Sequence, residues 1–314
     1  TDLPGSDSAY KAAGVDIDAK TAAIARIREN AQATLGAQAG QPDVFIATLD
    51  TAGGTVRVGT VHNITERPGY DNQPSFALDG RSVFFTSIRS DAQADIYRYS
   101  LTSRRTERVT TTASESEYSA VEVPGGGAIS VIRVERDSTQ RLWHLPLGGG
   151  DQLPLFPTLK PVGYQAWADA RRVAMFVLGT PSALVLGDRA SGALDTVMFN
   201  VGRSLHRVPG SSRISFVSKA YEAAWYIMSL DVDTRVVVPL VRLPAGTEDY
   251  AWLPDGRLIA GSGSALFVCD LARQSQWERV ADLGSSALSS ISRLAVSPSG
   301  DMVAIVAVPT ASRR

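Results

Sequence analysis

The sequence predicts an all-β fold, a six-bladed β-propeller closed by its N-terminal strands. A tight-turn signal returns about every 44 residues, each copy lies between two short apolar runs, and the predicted propeller begins and ends with half a blade. The copies of the turn are Leu78-Asp79-Gly80, Pro124-Gly125-Gly126, Ala168-Asp169-Ala170, Pro209-Gly210-Ser211, Pro254-Asp255-Gly256 and Pro298-Ser299-Gly300. Repeats of this length that contain four short strands are typical of propeller blades.

A second turn marks the outer half of each blade. Its copies are Ser100-Leu101-Thr102-Ser103, Leu147-Gly148-Gly149-Gly150, Gly187-Asp188-Arg189-Ala190, Leu230-Asp231-Val232-Asp233, Cys269-Asp270-Leu271-Ala272 and, near the N-terminus, Leu49-Asp50-Thr51-Ala52. Together the two turns predict blades over approximately 70–113, 114–160, 161–202, 203–246, 247–290, and 291–308 joined with 43–66.

The strands at the two ends of the propeller complete each other. Residues 43–49 and 56–61 are predicted outer strands without inner ones, whereas 291–296 and 302–308 are predicted inner strands without outer ones. Pairing these halves gives a sixth blade and removes free sheet edges. We therefore expect the N-terminal strands to close the ring.

The N-terminal extension, residues 1–41, is rich in alanine and has helical spacing. Asp18 is a suitable N-cap and Gly36 a suitable C-cap. The apolar positions on one face between them are Ile24, Ile27, Ala31 and Leu35. The pattern predicts one amphipathic helix over about 19–35, followed by the propeller at 42–308 and a C-terminal tail at 309–314.

Composition excludes several classes of function. The 314 residues include 31 Lys and Arg against 32 Asp and Glu, a net charge of -1, so long-range attraction to nucleic acid is not expected. The single cysteine, Cys269, lies in an alternating apolar stretch and is expected to be a buried strand residue. No apolar run reaches the ~18 residues of a transmembrane helix. The chain starts at Thr1 rather than methionine, which suggests either removal of a signal or anchor peptide or a sequence that omits the natural start.

The first blade contains four segments with a recognisable pattern, Tyr70-Asp71-Asn72-Gln73-Pro74-Ser75-Phe76, Asp79-Gly80-Arg81, Ala94-Asp95-Ile96-Tyr97-Arg98-Tyr99 and Arg108-Val109-Thr110. This pattern resembles the repeat of TolB-like (WD-type repeat) propellers. The resemblance covers roughly 43–308 and its motifs specify the fold rather than an activity. It implies a periplasmic or otherwise extracytoplasmic module that binds proteins or peptides at the mouth of the channel.

A second resemblance concerns the extension alone. The stretch Ala9-Tyr10-Lys11-Ala12-Ala13-Gly14-Val15-Asp16-Ile17-Asp18-Ala19, with Ala23-Ile24-Ala25-Arg26-Ile27 after it, is similar to the N-terminus of aminoimidazole ribonucleotide synthetases. Nothing similar to the catalytic core of that family follows. We therefore do not expect that activity.

Candidate binding residues lie where the inner strands converge around the channel. Alignment on the turns places Gln73, Ser119, Gly163, Ser204, Asp249 and Arg293 in one ring, and Asn72, Tyr118, Val162, Arg203, Glu248 and Ser292 in the ring before it. Two ion pairs between adjacent blades follow, Asp249 with Arg293 and Arg203 with Glu248. They either tie blades together or form a polar funnel for a partner. The predicted funnel residues are Asn72, Tyr118, Tyr164, Arg203, His206, Glu248, Asp249, Tyr250 and Arg293.

No catalytic residue, cofactor or metal site is predicted. The chain has no Gly-x-Ser-x-Gly elbow, and of its three histidines only His206 lies on an inner strand. Trp167 and Trp252 precede turns and are expected to pack between blades.

The enzymatic alternative is a calcium-dependent hydrolase or lactonase-type propeller. The oxygen ligands that could converge on a channel ion are those of Glu248, Asp249, Asn72 and Asp71. Arg203 and Arg293 count against it, because they would neutralise these carboxylates. We therefore expect a non-catalytic scaffold of the cell envelope that binds a peptide or a partner subunit, at the funnel or through the extension.

Overall fold

The computed structural model describes residues 41–89, 93–221 and 224–310, and the amphipathic helix predicted at 19–35 lies outside them. The described chain forms six four-stranded antiparallel sheets, which are the six blades of a propeller. The inner strands contact one another in sequence order and line a central channel. The predicted fold class is therefore confirmed.

Each of the first five blades is built from four consecutive strands. Their bounds are β3 Tyr70–Phe76, β4 Ser82–Ile88, β5 Ala94–Ser100 and β6 Thr106–Arg108 in blade 1; β7 Ser116–Glu122, β8 Ala128–Val134, β9 Gln140–Pro146 and β10 Leu153–Pro154 in blade 2; β11 Val162–Trp167, β12 Arg172–Val177, β13 Ala183–Asp188 and β14 Leu194–Phe199 in blade 3; β15 Val201–Arg207, β16 Ile214–Ser218, β17 Tyr226–Leu230 and β18 Val237–Arg242 in blade 4; and β19 Tyr250–Trp252, β20 Leu258–Ser262, β21 Ala265–Asp270 and β22 Gln274–Asp282 in blade 5.

Blade 6 closes the ring with strands from both ends of the described chain. It contains β23 Leu288–Val296, β24 Met302–Pro309, β1 Asp43–Asp50 and β2 Arg57–Asn63, in that order outward from the channel. Two short 3-10 turns, Ala52–Gly54 and Gly284–Ser286, complete the regular structure. Among the described residues, no helix has the length and hydrophobicity needed to cross a membrane.

The closure depends on the pairing of β1 with β24 and on one buried carboxylate. Antiparallel pairing runs from Asp43 opposite Ala307 to Thr48 opposite Met302. The buried Asp43 accepts hydrogen bonds from Asn63 Nδ2 at 2.7 Å and from Thr65 Oγ1 at 3.2 Å. Because its charge is compensated by these donors, Asp43 anchors the returning segment to the start of β1. The predicted closure by N-terminal strands is confirmed.

Most inner strands are bulged at about the same height in the channel. The register shifts lie between Asn72 and Ser75, Tyr118 and Val121, Val162 and Tyr164, Val201 and Leu205, and Ser289 and Arg293. At three of these bulges a residue other than glycine has a left-handed backbone, with φ of 56° at Gln73, 53° at Ser119 and 53° at Ser290. A bulge re-aims the side chains next to it, here toward the channel.

The hairpin turns between the first and second strands form a collar around one end of the channel, which we call the turn face. Pro254 of blade 5 packs on Gly300 of blade 6, so closely that a Cβ on Gly300 would lie 2.7 Å from the proline Cδ. The backbone N–H of Leu78 in blade 1 donates to Glu122 Oε2 of blade 2 at 2.7 Å. These contacts tie the hairpin of blade 5 to that of blade 6, and the hairpin of blade 1 to the inner strand of blade 2, at the rim.

Aromatic side chains pack between the blades as the sequence predicts. Trp167 of blade 3 donates its indole N–H to Ser130 Oγ of blade 2 at 2.9 Å, and Trp252 of blade 5 donates to Ser215 Oγ of blade 4 at 2.8 Å. Cys269 is a buried free thiol on β21, also as predicted. The core is accordingly a series of apolar layers between adjacent sheets.

Candidate functional site

A cavity of about 650 Å³ occupies the part of the channel next to the turn face, and we call it the channel pocket. All six inner strands contribute to its lining. Its walls carry Phe76, Trp167, Trp252 and Val296, and its rim carries Leu78 together with prolines such as Pro254. A concave, largely apolar wall with a few polar groups is typical of a ligand-binding site.

A chain of polar contacts crosses the channel at the floor of this pocket. Arg293 Nη2 of blade 6 donates to Tyr164 OH of blade 3 at 2.7 Å, and these two blades are opposite each other in the ring. The Arg293 guanidinium also lies over the Tyr164 ring, 4.8 Å from its centroid. Gln73 Nε2 of blade 1 reaches the same phenol oxygen at 3.5 Å. The floor is therefore formed by contacts between side chains of blades 1, 3 and 6.

Both ion pairs predicted between adjacent blades are present. Arg293 Nη1 lies 3.6 Å from Asp249 Oδ2, and Arg203 Nε lies 3.9 Å from Glu248 Oε2. Glu248 Oε1 accepts a hydrogen bond from the Arg203 backbone N–H at 2.7 Å, and Oε2 lies 2.9 Å from Lys219 Nζ. These contacts fix the relative positions of blades 4, 5 and 6 beside the floor.

The carboxylates of these pairs differ in their electrostatic surroundings. Burial raises the pKa of Asp249, and Arg293 offsets only part of that rise. Burial also acts to raise the pKa of Glu248, but hydrogen bonds from the Arg203 backbone and from Lys219 outweigh it and hold that pKa below its usual value. Burial acts to lower the pKa of Arg293, yet Tyr164 and Asp249 reverse the effect and raise it. Arg293 therefore carries a full positive charge.

His206 lies beside this floor as a neutral imidazole. Burial, with a further contribution from Arg293, lowers the pKa of His206 to about 4. Its Nε2 lies 3.1 Å from Ser204 Oγ, and its ring meets that of Tyr250 edge-on with centroids 4.7 Å apart. At neutral pH it presents an uncharged ring to the pocket.

The structure brings five of the nine predicted funnel residues to the channel pocket and leaves four outside its lining. The lining includes Tyr164, Arg203, His206, Asp249 and Arg293. Tyr250 is fully buried between blades and donates its hydroxyl to Ser215 Oγ at 2.8 Å, so it supports His206 rather than facing the cavity. Asn72 is buried, with Oδ1 accepting from the backbone N–H of Gln73.

Tyr118 and Glu248 are the other two that do not line the pocket. Tyr118 is half-buried and packs against the apolar cluster between blades 2 and 3, where burial raises its pKa. Glu248 is occupied by Lys219 and Arg203. In the aligned ring, Gly163 was the expected member from blade 3, but Tyr164 lines the pocket instead. Gly163 has no side chain with which to line the pocket, although its strand carries a bulge like those of the other blades, between Val162 and Tyr164.

Sequence alignment on the turns did not identify two polar groups beside the floor. The Oγ of Ser119 and the Oε1 of Gln165 are buried and have no hydrogen-bond partner among the described residues. Both residues line the pocket, and Gln165 is fixed by its Nε2, which donates to the Ser119 carbonyl at 2.8 Å. Ser119 was placed in the ring, but nothing in the sequence marks its hydroxyl as unpartnered, because that depends on the neighbouring blade.

The four oxygen donors considered for a metal are separately engaged. Asp71 pairs with Arg67 at 3.0 Å, Asp249 pairs with Arg293, and Glu248 pairs with Lys219. The side-chain oxygen of Asn72 accepts a hydrogen bond from the backbone N–H of Gln73. In the described part of the chain, no group of three or more His, Cys, Asp or Glu residues is arranged to hold a metal ion. The donor set named from the sequence does not converge on one point, because a basic residue accompanies each carboxylate.

Comparisons with known proteins identify the fold. No family model matches the chain, and no curated protein matches it. Among solved structures, a candidate TolB from Agrobacterium tumefaciens superposes with a TM-score of 0.68 at 16% identity, covering 87% of this chain and 99% of that one. TolB from Acinetobacter baumannii gives 0.58 at 11% identity, covering 90% and 68%.

An enzyme is also among the similar structures. An oligogalacturonate lyase in complex with manganese gives a TM-score of 0.54 at 15% identity, covering 85% of this chain and 86% of that one. The short likeness of the extension to aminoimidazole ribonucleotide synthetases has no counterpart in these matches and falls outside the described residues. At such identities the likenesses concern the fold alone, which is that of a six-bladed propeller.

Proposed function

We propose that this propeller is a non-catalytic protein-binding module of the cell envelope, and that it receives a peptide segment of its partner in the channel pocket. The observation that carries the proposal is the pocket itself. It opens within the turn-face collar, has aromatic and aliphatic walls, and ends at the polar floor formed by Tyr164 and Arg293. A bound segment can therefore bury apolar side chains against the walls and form hydrogen bonds with the floor.

The size of the pocket favours a short segment rather than a whole domain. Its volume of about 650 Å³ falls in the range of about 300–1,000 Å³ that is typical of pockets for small ligands. An extended loop or a chain end of a few residues fits such a space, while the rim can contact the rest of the partner. Trp252 and Phe76 on the walls are the side chains best suited to anchor it.

The envelope location and the kind of partner rest on resemblance. The first blade resembles TolB-like repeats, and two of the similar structures are TolB proteins. We extend to this chain the periplasmic or extracytoplasmic setting and the protein partner that the family resemblance implies, including a larger envelope assembly. The N-terminal extension at 1–41 is a second candidate contact for that assembly.

Site-specific photo-crosslinking in cells of the source organism tests the proposal. A benzoylphenylalanine at Leu78 would probe the rim, and the same residue at Val236 on the outer side of blade 4 is a matched control, since these side chains are 49% and 51% exposed. We expect a defined segment of one protein to crosslink at Leu78 and not at Val236. Equal labelling at both sites, or none at Leu78, would refute binding at the turn face.

The enzymatic alternative has its own test. The manganese-bound lyase among the similar folds makes a metal titration the direct comparison. Isothermal titration calorimetry of the chelator-treated protein with Ca²⁺ and with Mn²⁺ should give no saturable heat if the basic residues occupy the channel carboxylates. Binding of one ion that is lost in Asp249→Asn would overturn the non-catalytic proposal and support a channel-metal enzyme.

A further inference from the structure

We infer that the floor of the channel pocket is a carboxylate-binding subsite, in which Arg203 and Arg293 receive an acidic group of the bound segment. This inference rests on the proposed function and specifies its chemistry. The group that reaches the floor is then either the C-terminal carboxylate of a peptide or an acidic side chain.

Arg203 has unused donor capacity at the pocket. It lines the pocket from β15 and is partly exposed. Within residues 41–89, 93–221 and 224–310, its guanidinium donates no hydrogen bond, and its buried Nε has an ion-pair contact but no hydrogen-bond partner. The nearest carboxylate, Glu248, is 3.9 Å from that Nε and already accepts from the Arg203 backbone N–H while pairing with Lys219. A new acceptor in the pocket would therefore satisfy Arg203 without breaking an existing hydrogen bond.

Arg293 is held in place through Nη2, while its Nη1 has an ion-pair contact but no hydrogen bond to Asp249. Nη2 donates to Tyr164 OH, which orients the planar group across the channel. Nη1 is 3.6 Å from Asp249 Oδ2, outside hydrogen-bond distance, and Asp249 Oδ1 accepts from the Leu294 backbone N–H at 2.8 Å. A pre-oriented guanidinium is well suited to bind a carboxylate, because the group is planar, always charged and loses little freedom on binding.

The charge balance at the floor favours an anion. Arg203 and Arg293 both act on Asp249, which is the one carboxylate between them on the pocket lining. Glu248 and Lys219 form a neutral pair behind Arg203. His206 is uncharged at neutral pH, and the positive charge of Arg293 helps to keep it so. One excess positive charge therefore remains, in a partly desolvated position where electrostatic attraction is strong.

Two polar atoms near the floor, Ser119 Oγ and Gln165 Oε1, could form hydrogen bonds with the amide groups next to a peptide carboxylate. Ser119 and Gln165 are 9% and 6% exposed, and their Oγ and Oε1 atoms lack partners among the described residues. Gln165 Oε1 is an acceptor only, so it needs an N–H donor. The amide N–H next to a chain-terminal carboxylate, or next to an acidic side chain, supplies such a donor. Both sources therefore present the same combination of an anion and a nearby N–H group.

Calorimetric titration with three short peptides tests the inference and separates the sources. The probes are N-acetyl-Ala-Leu-Ala with a free C-terminus, its C-terminal amide, and the amide of N-acetyl-Ala-Asp-Ala. We expect at least one acidic probe to bind 10-fold or more tightly than the neutral amide, with a preference that weakens as salt is added. The free acid binding best assigns a chain terminus, and the aspartyl amide binding best assigns a side chain.

Variants show whether the floor causes the preference. Arg203→Gln should reduce the preference for the acidic probe by about 10-fold while lowering the free energy of unfolding by no more than about 1 kcal/mol, since its ion pair with Glu248 is long and partly exposed. Arg57→Gln on the outer strand of blade 6 removes the same charge far from the channel and should retain the preference. Equal affinity for all three probes, or an undiminished preference in Arg203→Gln, would overturn the inference. The crosslinking at Leu78 tests peptide binding at the turn face without reference to the carboxylate subsite. A crosslink at Leu78 would therefore still support the proposed function if the peptide titrations overturned the subsite.

Discussion

Arg293 and Tyr164 join opposite sides of the propeller through a hydrogen bond of 2.7 Å between Nη2 and the phenol oxygen. The two residues belong to blades 6 and 3, so their contact spans the channel rather than linking neighbours. The same arginine stacks on the tyrosine ring and lies near Asp249 of blade 5. Three blades thus meet at one guanidinium group, which both braces the ring and forms the floor of the channel pocket.

Removing the phenol oxygen should weaken the propeller measurably. Tyr164→Phe deletes the acceptor for Arg293, and a hydrogen bond to a charged group contributes about 1.5–3 kcal/mol. We expect the free energy of unfolding in urea to fall by about 1–2 kcal/mol, since water replaces part of the contact. Tyr221→Phe is the matched control, because Tyr221 is exposed and its hydroxyl bonds to none of the described residues. Equal stability of the two variants would contradict this role for Tyr164.

The buried contacts of Asp43 with Asn63 and Thr65 in blade 6, which we call the clasp, should be sensitive to replacement of one hydroxyl group by a methyl group. Thr65 Oγ1 donates to Asp43 and accepts from the Val44 backbone N–H at 3.0 Å. Thr65→Val leaves a buried carboxylate and a buried N–H short of partners, which costs about 1–3 kcal/mol. Thermal unfolding should therefore occur at a lower temperature. Thr48→Val, exposed on the same strand β1, should change the midpoint little, and a similar loss in both would argue against the clasp.

Close packing between blades 5 and 6 leaves no room for one additional methyl group. A Cβ at Gly261 would lie 2.3 Å from Ile291 Cγ2, although the glycine itself has no unusual backbone angle. Gly261→Ala should cost about 1–3 kcal/mol by overpacking. At Gly148 nothing lies within 4 Å of the added Cβ, so Gly148→Ala serves as the control in the same denaturant titration. A neutral Gly261→Ala would mean that the two sheets separate more easily than their packing indicates.

His206 should make stability fall in mildly acidic solution. Its pKa is about 4 in the folded protein against 6.5 for the free side chain, so the unfolded chain binds more protons between these values. The stabilisation is complete above about pH 6.5 and is lost as the pH falls toward 4, with an upper limit of about 3 kcal/mol.

His206→Gln should therefore flatten the dependence of the unfolding free energy on pH in that window. His62→Gln, at an exposed position on β2, controls for the general effect of acid. Parallel curves for the wild-type protein and His206→Gln between pH 4 and 6.5 would show that the imidazole titrates normally.

Periodic features of the sequence were sufficient to predict the ring. Both sets of turns, the closure by β1 and β2, and the pairs of Arg293 with Asp249 and of Arg203 with Glu248 follow from aligning the repeats. Such features are local or occur at equivalent positions, and each blade repeats the same hydrogen-bonding pattern. The ion pairs were predictable because equivalent positions on adjacent inner strands face one another.

The details of the channel were less predictable, because they depend on departures from the repeat. The ring position of blade 3 is Gly163, which has no side chain, and Tyr164 after it lines the pocket. Tyr250 follows Asp249 directly but is buried between blades 4 and 5, where its hydroxyl donates to Ser215 Oγ, and the sequence does not reveal that contact. Phe76 and Trp252 look like ordinary core residues in the sequence, and only the assembled ring shows that they form pocket walls.

The clasp of blade 6 also sets the order in which the molecule can be completed. Val44 pairs with Val306, so β1 is synthesised early but finds its partner only when nearly the whole described chain has been made. Loop closure over such a separation is slow compared with the formation of a hairpin within a blade. Blades 1 to 5 can each form from contiguous strands, whereas the sixth must wait. The last step of folding is therefore the one that turns an open row of sheets into a ring, and with it creates the channel.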